Sequence, residues 1–371
     1  MSRKIIFKYY FSFFILIGIV FGNVLFTHKE RIIDIEISKN GQMLTSVSRD
    51  GNVIVWDEWN EKSIYEITFD STKIVSKVTL SADNKLLAVG FNNGNIEIIN
   101  IEENNLLTLE NSLNNKVSLL KFIKNNNLLS YIEGDIVKVL NVNLDLKGTS
   151  QVGKLKESDA EVVKIKINSN HRNILASIKT GKLLRWDIEE VTIAKAPSSF
   201  KDPIKDKIKE NNLDLTFGEN SSNIGRATRI HRSANGYEYG TIKNISLPSK
   251  NWWNDRAYNY YDFDISPDGS KIAIVTNENK VIVWNSNFNE EIKSIDGHEY
   301  RLNGIKFSSD GRYLATSSID KFLKVWDVNS GQLINSFELG DDWITEIAFP
   351  YIDSNIIICG TFRGKIIKFN F

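Results

Sequence analysis

Short runs of apolar residues separated by polar turn signals recur along most of the chain. Asn52-Val53-Ile54-Val55-Trp56 and Lys280-Val281-Ile282-Val283-Trp284 are β-branched and apolar on both faces, the pattern of a strand held between two packed layers. These runs are too short for buried helices and lack a 3.6-residue period. Between them stand tight-turn signals: Ser266-Pro267-Asp268-Gly269 and Ser308-Ser309-Asp310-Gly311, with the variants Ser38-Lys39-Asn40-Gly41 and Ser81-Ala82-Asp83-Asn84. Asp and Asn can bond their own backbone and Gly accepts positive φ, so each signal predicts a hairpin. Asp50-Gly51, Asn93-Gly94 and Arg363-Gly364 predict a second set of hairpins.

The pattern repeats. Residues 28–57 laid over 298–327 without a gap are identical at 11 of 30 positions, including His28 with His298, Asp50 with Asp320 and Trp56-Asp57 with Trp326-Asp327. An aromatic or large apolar residue closes each copy, at Trp56, Ile99, Leu140, Trp186, Ile245, Trp284, Trp326 and Phe369. Most steps between these marks are close to the ~40–45 residues of a four-stranded propeller blade. The step from Trp186 to Ile245 is 59 residues and calls for an insertion, placed at about 196–223. The expected architecture is an all-β propeller over residues 23–371. Eight blades follow if Gly240 to Ile245 closes a degenerate unit, and seven plus a long excursion is the alternative.

Gly297-His298, Leu314-Ala315-Thr316-Ser317-Ser318-Ile319-Asp320 and Lys324-Val325-Trp326-Asp327 resemble the WD-repeat propeller family. The resemblance implies buried hydrogen-bonded tetrads of His298, Ser318, Asp320 and Trp326, and of His28, Ser48, Asp50 and Trp56. Such a network satisfies imidazole, carboxylate and indole groups together. Other copies depart from the pattern, with Asp341 in place of the His, Arg363 in place of the Asp, and Ile99 or Leu140 in place of Trp. The register also places residues 23–27 as an outermost strand, so pairing them into the last blade would close the ring and hide both edges.

The first residues read differently. Arg3, Lys4 and Lys8 precede a run from Tyr9 to Thr27 with no charged residue, the pattern of a signal peptide or membrane anchor over residues 1–22. It predicts an extracytoplasmic propeller: periplasmic or secreted if cleaved, tethered to the membrane through residues 5–22 if not. A cytoplasmic scaffold is the alternative if the segment directs no export.

Charge and chemistry narrow the function. With 46 basic and 46 acidic residues the net charge is zero, so no long-range attraction draws the chain to nucleic acid. One cysteine, Cys359, excludes an intramolecular disulfide and a thiolate metal cluster. Of four histidines, two belong to the implied tetrads, and His171 and His231 lie in no nucleophile or metal-ligand signature. No catalytic residue, metal ligand or cofactor is expected. The resemblance implies a non-catalytic platform for a protein or peptide partner, and the cluster Trp252, Trp253, Arg256 and Tyr258 supplies residue types that dominate interface energies. Packing at a blade edge explains the same cluster, and an enzyme or ligand-binding protein using the central funnel is the alternative function.

Overall fold

The computed structural model describes residues 22–57, 62–110, 115–123, 128–133, 136–142, 149–155, 162–168, 173–178, 183–188, 226–233, 236–245, 262–276, 279–285, 290–351 and 353–371, and every regular element among them is a strand. After β1 (Asn23–Thr27) comes a first antiparallel sheet of β2 (Ile32–Ile37), β3 (Met43–Ser48), β4 (Asn52–Asp57) and β5 (Lys62–Thr68). The second holds β6 (Val75–Leu80), β7 (Leu86–Phe91), β8 (Ile96–Asn100) and β9 (Leu106–Leu109). The third holds β10 (Leu120–Ile123), β11 (Leu128–Glu133), β12 (Ile136–Val142) and β13 (Thr149–Leu155). A fourth, five-stranded sheet contains β14 (Val162–Ile167), β15 (Asn173–Ile178), β16 (Leu183–Ile188), β17 (Arg226–Ser233) and β18 (Gly236–Ile245). The fifth is β19 (Phe263–Ile265), β20 (Lys271–Val275), β21 (Lys280–Asn285) and β22 (Glu290–Asp296). The sixth is β23 (Leu302–Phe307), β24 (Tyr313–Ser318), β25 (Phe322–Asp327) and β26 (Leu333–Glu338). The seventh joins β27 (Ile344–Ala348), β28 (Ile356–Thr361) and β29 (Lys365–Asn370) to β1.

The fold is an all-β propeller of WD-repeat type. The first strands of neighbouring sheets touch, β2 against β6 and β27, β6 against β10, and β23 against β19 and β27, so these strands surround a common axis. Apolar layers fill the wedges between sheets. Val47, Val53 and Val55 meet Val78, Leu80 and Val89 between the first and second sheets, and Ala315, Leu323 and Val325 meet Ile344, Ile357 and Cys359 between the sixth and seventh. This double-sided burial is why the strands carry β-branched residues on both faces. Each fully buried aliphatic side chain contributes about 1.5–3 kcal/mol.

Pairing of β1 with β29, from Asn23 opposite Lys368 to Thr27 opposite Lys365, closes the ring as the repeat register predicted. His28 N donates to Gly364 O at 2.8 Å just beyond that strand. Gly364 is required there: its φ is +81°, and a Cβ would stand 2.5 Å from the carbonyl oxygens of His28 and Glu30.

One assignment is corrected. Gly240 to Ile245 does not close a unit of its own, because β18 pairs antiparallel with β16, Ile245 opposite Leu183 and Ile242 opposite Trp186. The marks at Trp186 and Ile245 therefore belong to one sheet, and the described residues form seven sheets. The long step misled because a ten-residue strand that covers β16 has the same apolar spacing as one that begins a new wedge. The N-terminal segment up to residue 21 and the insertion at 196–223 lie outside the described residues.

Candidate functional site

Charged side chains on or beside the first strands of the sheets meet one another around the axis. Asp34 Oδ1 accepts from Lys77 Nζ at 2.6 Å while its Oδ2 accepts from Val78 N at 3.0 Å. The arrangement recurs at the fifth sheet. Asp264 takes Lys306 Nζ at 3.4 Å and Phe307 N at 2.8 Å, and Asp262 takes Lys166 Nζ at 2.8 Å and Ile305 N at 3.2 Å. Each carboxylate thus pairs one oxygen with a lysine and the other with a backbone N–H of the following sheet. Lys121 reaches past the second sheet to Glu36 at 2.6 Å, and Lys77 also approaches Glu346 at 4.0 Å.

Burial acts to lower the lysines Lys77, Lys121 and Lys166, but the carboxylates around them outweigh it and hold all three above the ordinary range. Burial pushes the Glu36 and Glu346 carboxyls up, against their lysine neighbours. The network ties neighbouring sheets together, with Asp34, Asp262 and Asp264 each committed to a lysine and a backbone N–H. Among the described residues, no three His, Cys, Asp or Glu side chains are grouped to hold a metal ion.

The implied tetrads have a different hydroxyl from the one expected. Trp326 Nε1 donates to Thr316 Oγ1 at 2.8 Å, Thr316 Oγ1 lies 2.8 Å from His298 Nε2, and His298 Nδ1 lies 2.7 Å from Asp320 Oδ2. The directions close if His298 is the neutral Nδ1–H tautomer. In the first sheet Ser46 Oγ plays this part, 2.8 Å from Trp56 Nε1 and 2.7 Å from His28 Nε2. Ser318 and Ser48 do not belong: Ser318 Oγ donates to Tyr300 O and Arg301 O, and Ser48 Oγ to Glu30 O. The reason is register. Trp326 sits opposite Leu314, so its indole reaches the next residue on that face, Thr316, whereas Ser318 lies a further pleat away at the strand end.

The two networks also differ in their carboxylates. Burial acts to raise the Asp320 carboxyl, but hydrogen bonds from His298 and Phe322 N outweigh it and hold it below the ordinary range. Asp50 stands 3.9 Å from His28 Nδ1 and accepts instead from Lys29 N and Asn52 N, leaving that buried Nδ1 without a hydrogen-bond partner.

The topology then builds one particular face. In a four-stranded antiparallel sheet, the turn from second to third strand and the connection into the next sheet emerge at the same end. Four sheets tie these segments together with a backbone hydrogen bond: Arg49 N to Arg31 O, Asn92 N to Ile74 O, Ile319 N to Arg301 O and Phe362 N to Trp343 O, at 2.9–3.1 Å. Each bond brings two residues together at this end of its sheet, and each of the four sheets carries a different pair. In the seventh sheet the pair is aromatic, Trp343 and Phe362, with ring centroids 4.2 Å apart and planes 26° from parallel. Phe362 is 41 % exposed, and Ile319 and Tyr300 of the sixth sheet are 50 % and 57 % exposed.

Trp252, Trp253, Arg256, Tyr258 and His171 lie outside the described residues, and His231 falls on β17. Sequence reasoning overlooked the displayed pairs. Their signal was positional: one residue before each first strand and one after each second strand.

Comparison with known proteins agrees with this geometry. Residues 21–57 and 289–327 match the WD domain, G-beta repeat, and residues 43–125 match the anaphase-promoting complex subunit 4 WD40 domain. Protein HIR1 of Phaeosphaeria nodorum is 26 % identical over 183 residues, 48 % of this chain and 17 % of that protein. Protein hir1 of Schizosaccharomyces pombe is 35 % identical over 86 residues, 22 % of this chain and 9 % of its own length. COMPASS component SWD3 of Saccharomyces cerevisiae is 28 % identical over 101 residues, 27 % of this chain and 32 % of its own length. The chain spans about a third or less of the length of these relatives.

The expected extracytoplasmic location is corrected. The matched relatives include HIR1 proteins of several organisms, which do not support an extracytoplasmic location. No helix among the described residues is long and apolar enough to cross a membrane.

Proposed function

We propose that this WD-repeat β-propeller is a non-catalytic platform that engages a protein partner on the face carrying the displayed side-chain pairs. The observation that carries the proposal is a contrast within one molecule. Charges along the axis are paired with one another and with backbone groups, whereas the Trp343–Phe362 stack stands at this end of the seventh sheet with Phe362 exposed, and Ile319 and Tyr300 are exposed at the same end of the sixth. Clustered exposed aromatic and apolar residues on a rigid scaffold are what a protein interface uses. The similarity to HIR1 and to the COMPASS component SWD3 supports the same class of role.

The test is a photo-crosslinking amino acid placed at Phe362 and, as control, at Lys39, an exposed hairpin residue on the opposite face. Protein adducts are expected from position 362 in cells. Adducts from position 39 alone, or none from 362, would remove this face as the platform.

A further inference from the structure

We infer that the partner segment seated on this face is acidic and carries a large apolar side chain, the apolar group resting on the Trp343–Phe362 stack and the carboxylates pairing with Arg31 and Arg49. The inference rests on the platform role proposed above and names the chemistry of its partner.

Three neighbouring sheets make the surface continuous. The connection into the seventh sheet starts where Leu339 N donates to Lys321 O at 2.9 Å, two residues beyond the exposed Ile319. It runs through Gly340 and Asp341 to Trp343. On the other side, the turn that carries Phe362 packs its Gly364 against the carbonyls of His28 and Glu30, in the connection that ends at Arg31. The order across the face is therefore an apolar shoulder, an aromatic stack and an arginine pair.

The arginine pair sets the charge of the partner. Arg31 and Arg49 are both exposed, and the 2.9 Å bond from Arg49 N to Arg31 O keeps their backbones together. Among the described residues neither guanidinium has a carboxylate within salt-bridge distance, unlike Arg363, which holds Asp341 at 2.6 Å. An exposed guanidinium that lacks a carboxylate partner is satisfied by one, which it can grip through two parallel N–H bonds.

A polynucleotide fits less well. The chain has no net charge to attract one. The two rings are already stacked on each other, so no base can enter between them.

The probe is a fluorescein-labelled 12-residue peptide with a central Leu-Phe flanked by glutamates, titrated with the full chain by anisotropy. A glutamine counterpart, an alanine counterpart lacking Leu-Phe, and a 12-nucleotide oligo(dT) are run beside it. The acidic apolar peptide is expected to bind at least tenfold more tightly than either counterpart, and to weaken with added salt. Arg31→Ala with Arg49→Ala should remove the preference over the glutamine peptide. Phe362→Ser should remove the preference over the alanine peptide. Arg49→Glu, which alters only an exposed residue, should abolish the preference over the glutamine peptide even if Phe362→Ser fails to fold. Equal binding of acidic and neutral peptides, no peptide binding, or tighter binding of oligo(dT) would overturn the inference. Protein adducts still obtained from position 362 in that case would show that the partner chemistry failed while the platform stands.

Discussion

Phe26 stacks on Trp56 with ring centroids 3.7 Å apart and planes 17° from parallel, although the two residues sit in different sheets. Phe26 lies on β1, in the seventh sheet, and Trp56 on β4, in the first. The closing strand is thus fastened to both neighbours, by its backbone to β29 and by this ring to the first sheet. His28 adds a second fastening, its backbone N on Gly364 O and its imidazole on Ser46.

Removing the ring should therefore weaken closure. Phe26→Ala is expected to destabilise the chain by about 3–5 kcal/mol, the usual cost of truncating a buried phenylalanine. Urea denaturation monitored by tryptophan fluorescence measures this, and an unchanged midpoint would show that closure does not depend on the stack.

The hydroxyl at the centre of the sixth-sheet network is Thr316, so Thr316→Val should leave the Trp326 indole N–H and His298 Nε2 unpaired. Buried groups left so cost about 1–3 kcal/mol each. Thr316→Ser should restore most of the loss. Ser318→Ala removes hydrogen bonds to Tyr300 O and Arg301 O and should cost about 1 kcal/mol. The opposite ranking would return the central role to Ser318.

The axial ion pairs should respond asymmetrically to mutation. Lys77→Met leaves Asp34 facing the axis without its cation, and breaking such a pair costs about 3–5 kcal/mol when it is buried. Lys77 keeps some exposure, so the lower end is expected. Lys77→Met with Asp34→Leu should lose less than the two single variants summed, in a double-mutant cycle read by thermal or urea unfolding.

Stability should fall in mild acid through His28. Burial holds its imidazole below the ordinary range, with Asp50 and Glu66 acting in the opposite sense. The unfolded chain therefore takes up a proton near pH ~6.5 before the folded one does. This contribution is complete above that pH and declines below it, until the folded pKa is passed. Glu36 and Glu346 titrate in the other direction, their folded values being raised. The His28 share is thus the difference between wild type and His28→Gln, measured from pH 7.5 to 5.0. The gap should narrow as pH falls, and a constant gap would exclude His28 as the acid-sensitive group.

Cys359 is fully buried between the sixth and seventh sheets, and burial pushes its thiol well above the ordinary range. It should resist Ellman's reagent in the native protein and react in full once denatured. Rapid native labelling would show that this wedge opens.

The fold was readable from the chain because each repeat states its own local chemistry. Ser308-Ser309-Asp310-Gly311 forms the turn its residues dictate: Ser308 Oγ donates to Asp310 Oδ1 at 2.6 Å and accepts from Tyr313 N at 2.9 Å, with Gly311 at φ +72°. Strands buried on both faces announce themselves through consecutive apolar runs such as Val53-Ile54-Val55 and Val281-Ile282-Val283. Asn23 to Thr27 could be paired with the far end of the chain because the repeat assigned them a place that nothing else filled. Those inferences depend on residues near in sequence, or on one register applied many times over.

What depended on distance in space could not be read this way. The choice of Thr316 over Ser318 turns on which residue faces Trp326 across a strand pair, and a single pleat separates the two. Whether β18 begins a wedge or covers β16 is settled by the strand it meets, since its apolar spacing suits both. The candidate surface is the clearest case. Trp343, Phe362, Arg31 and Arg49 carry no motif, and residues from opposite ends of the chain become neighbours only when β1 closes the ring and Gly364 packs against His28 and Glu30. Local sequence specifies turns and strands because their energies are local, while a surface assembled across sheets exists only after packing brings its parts together.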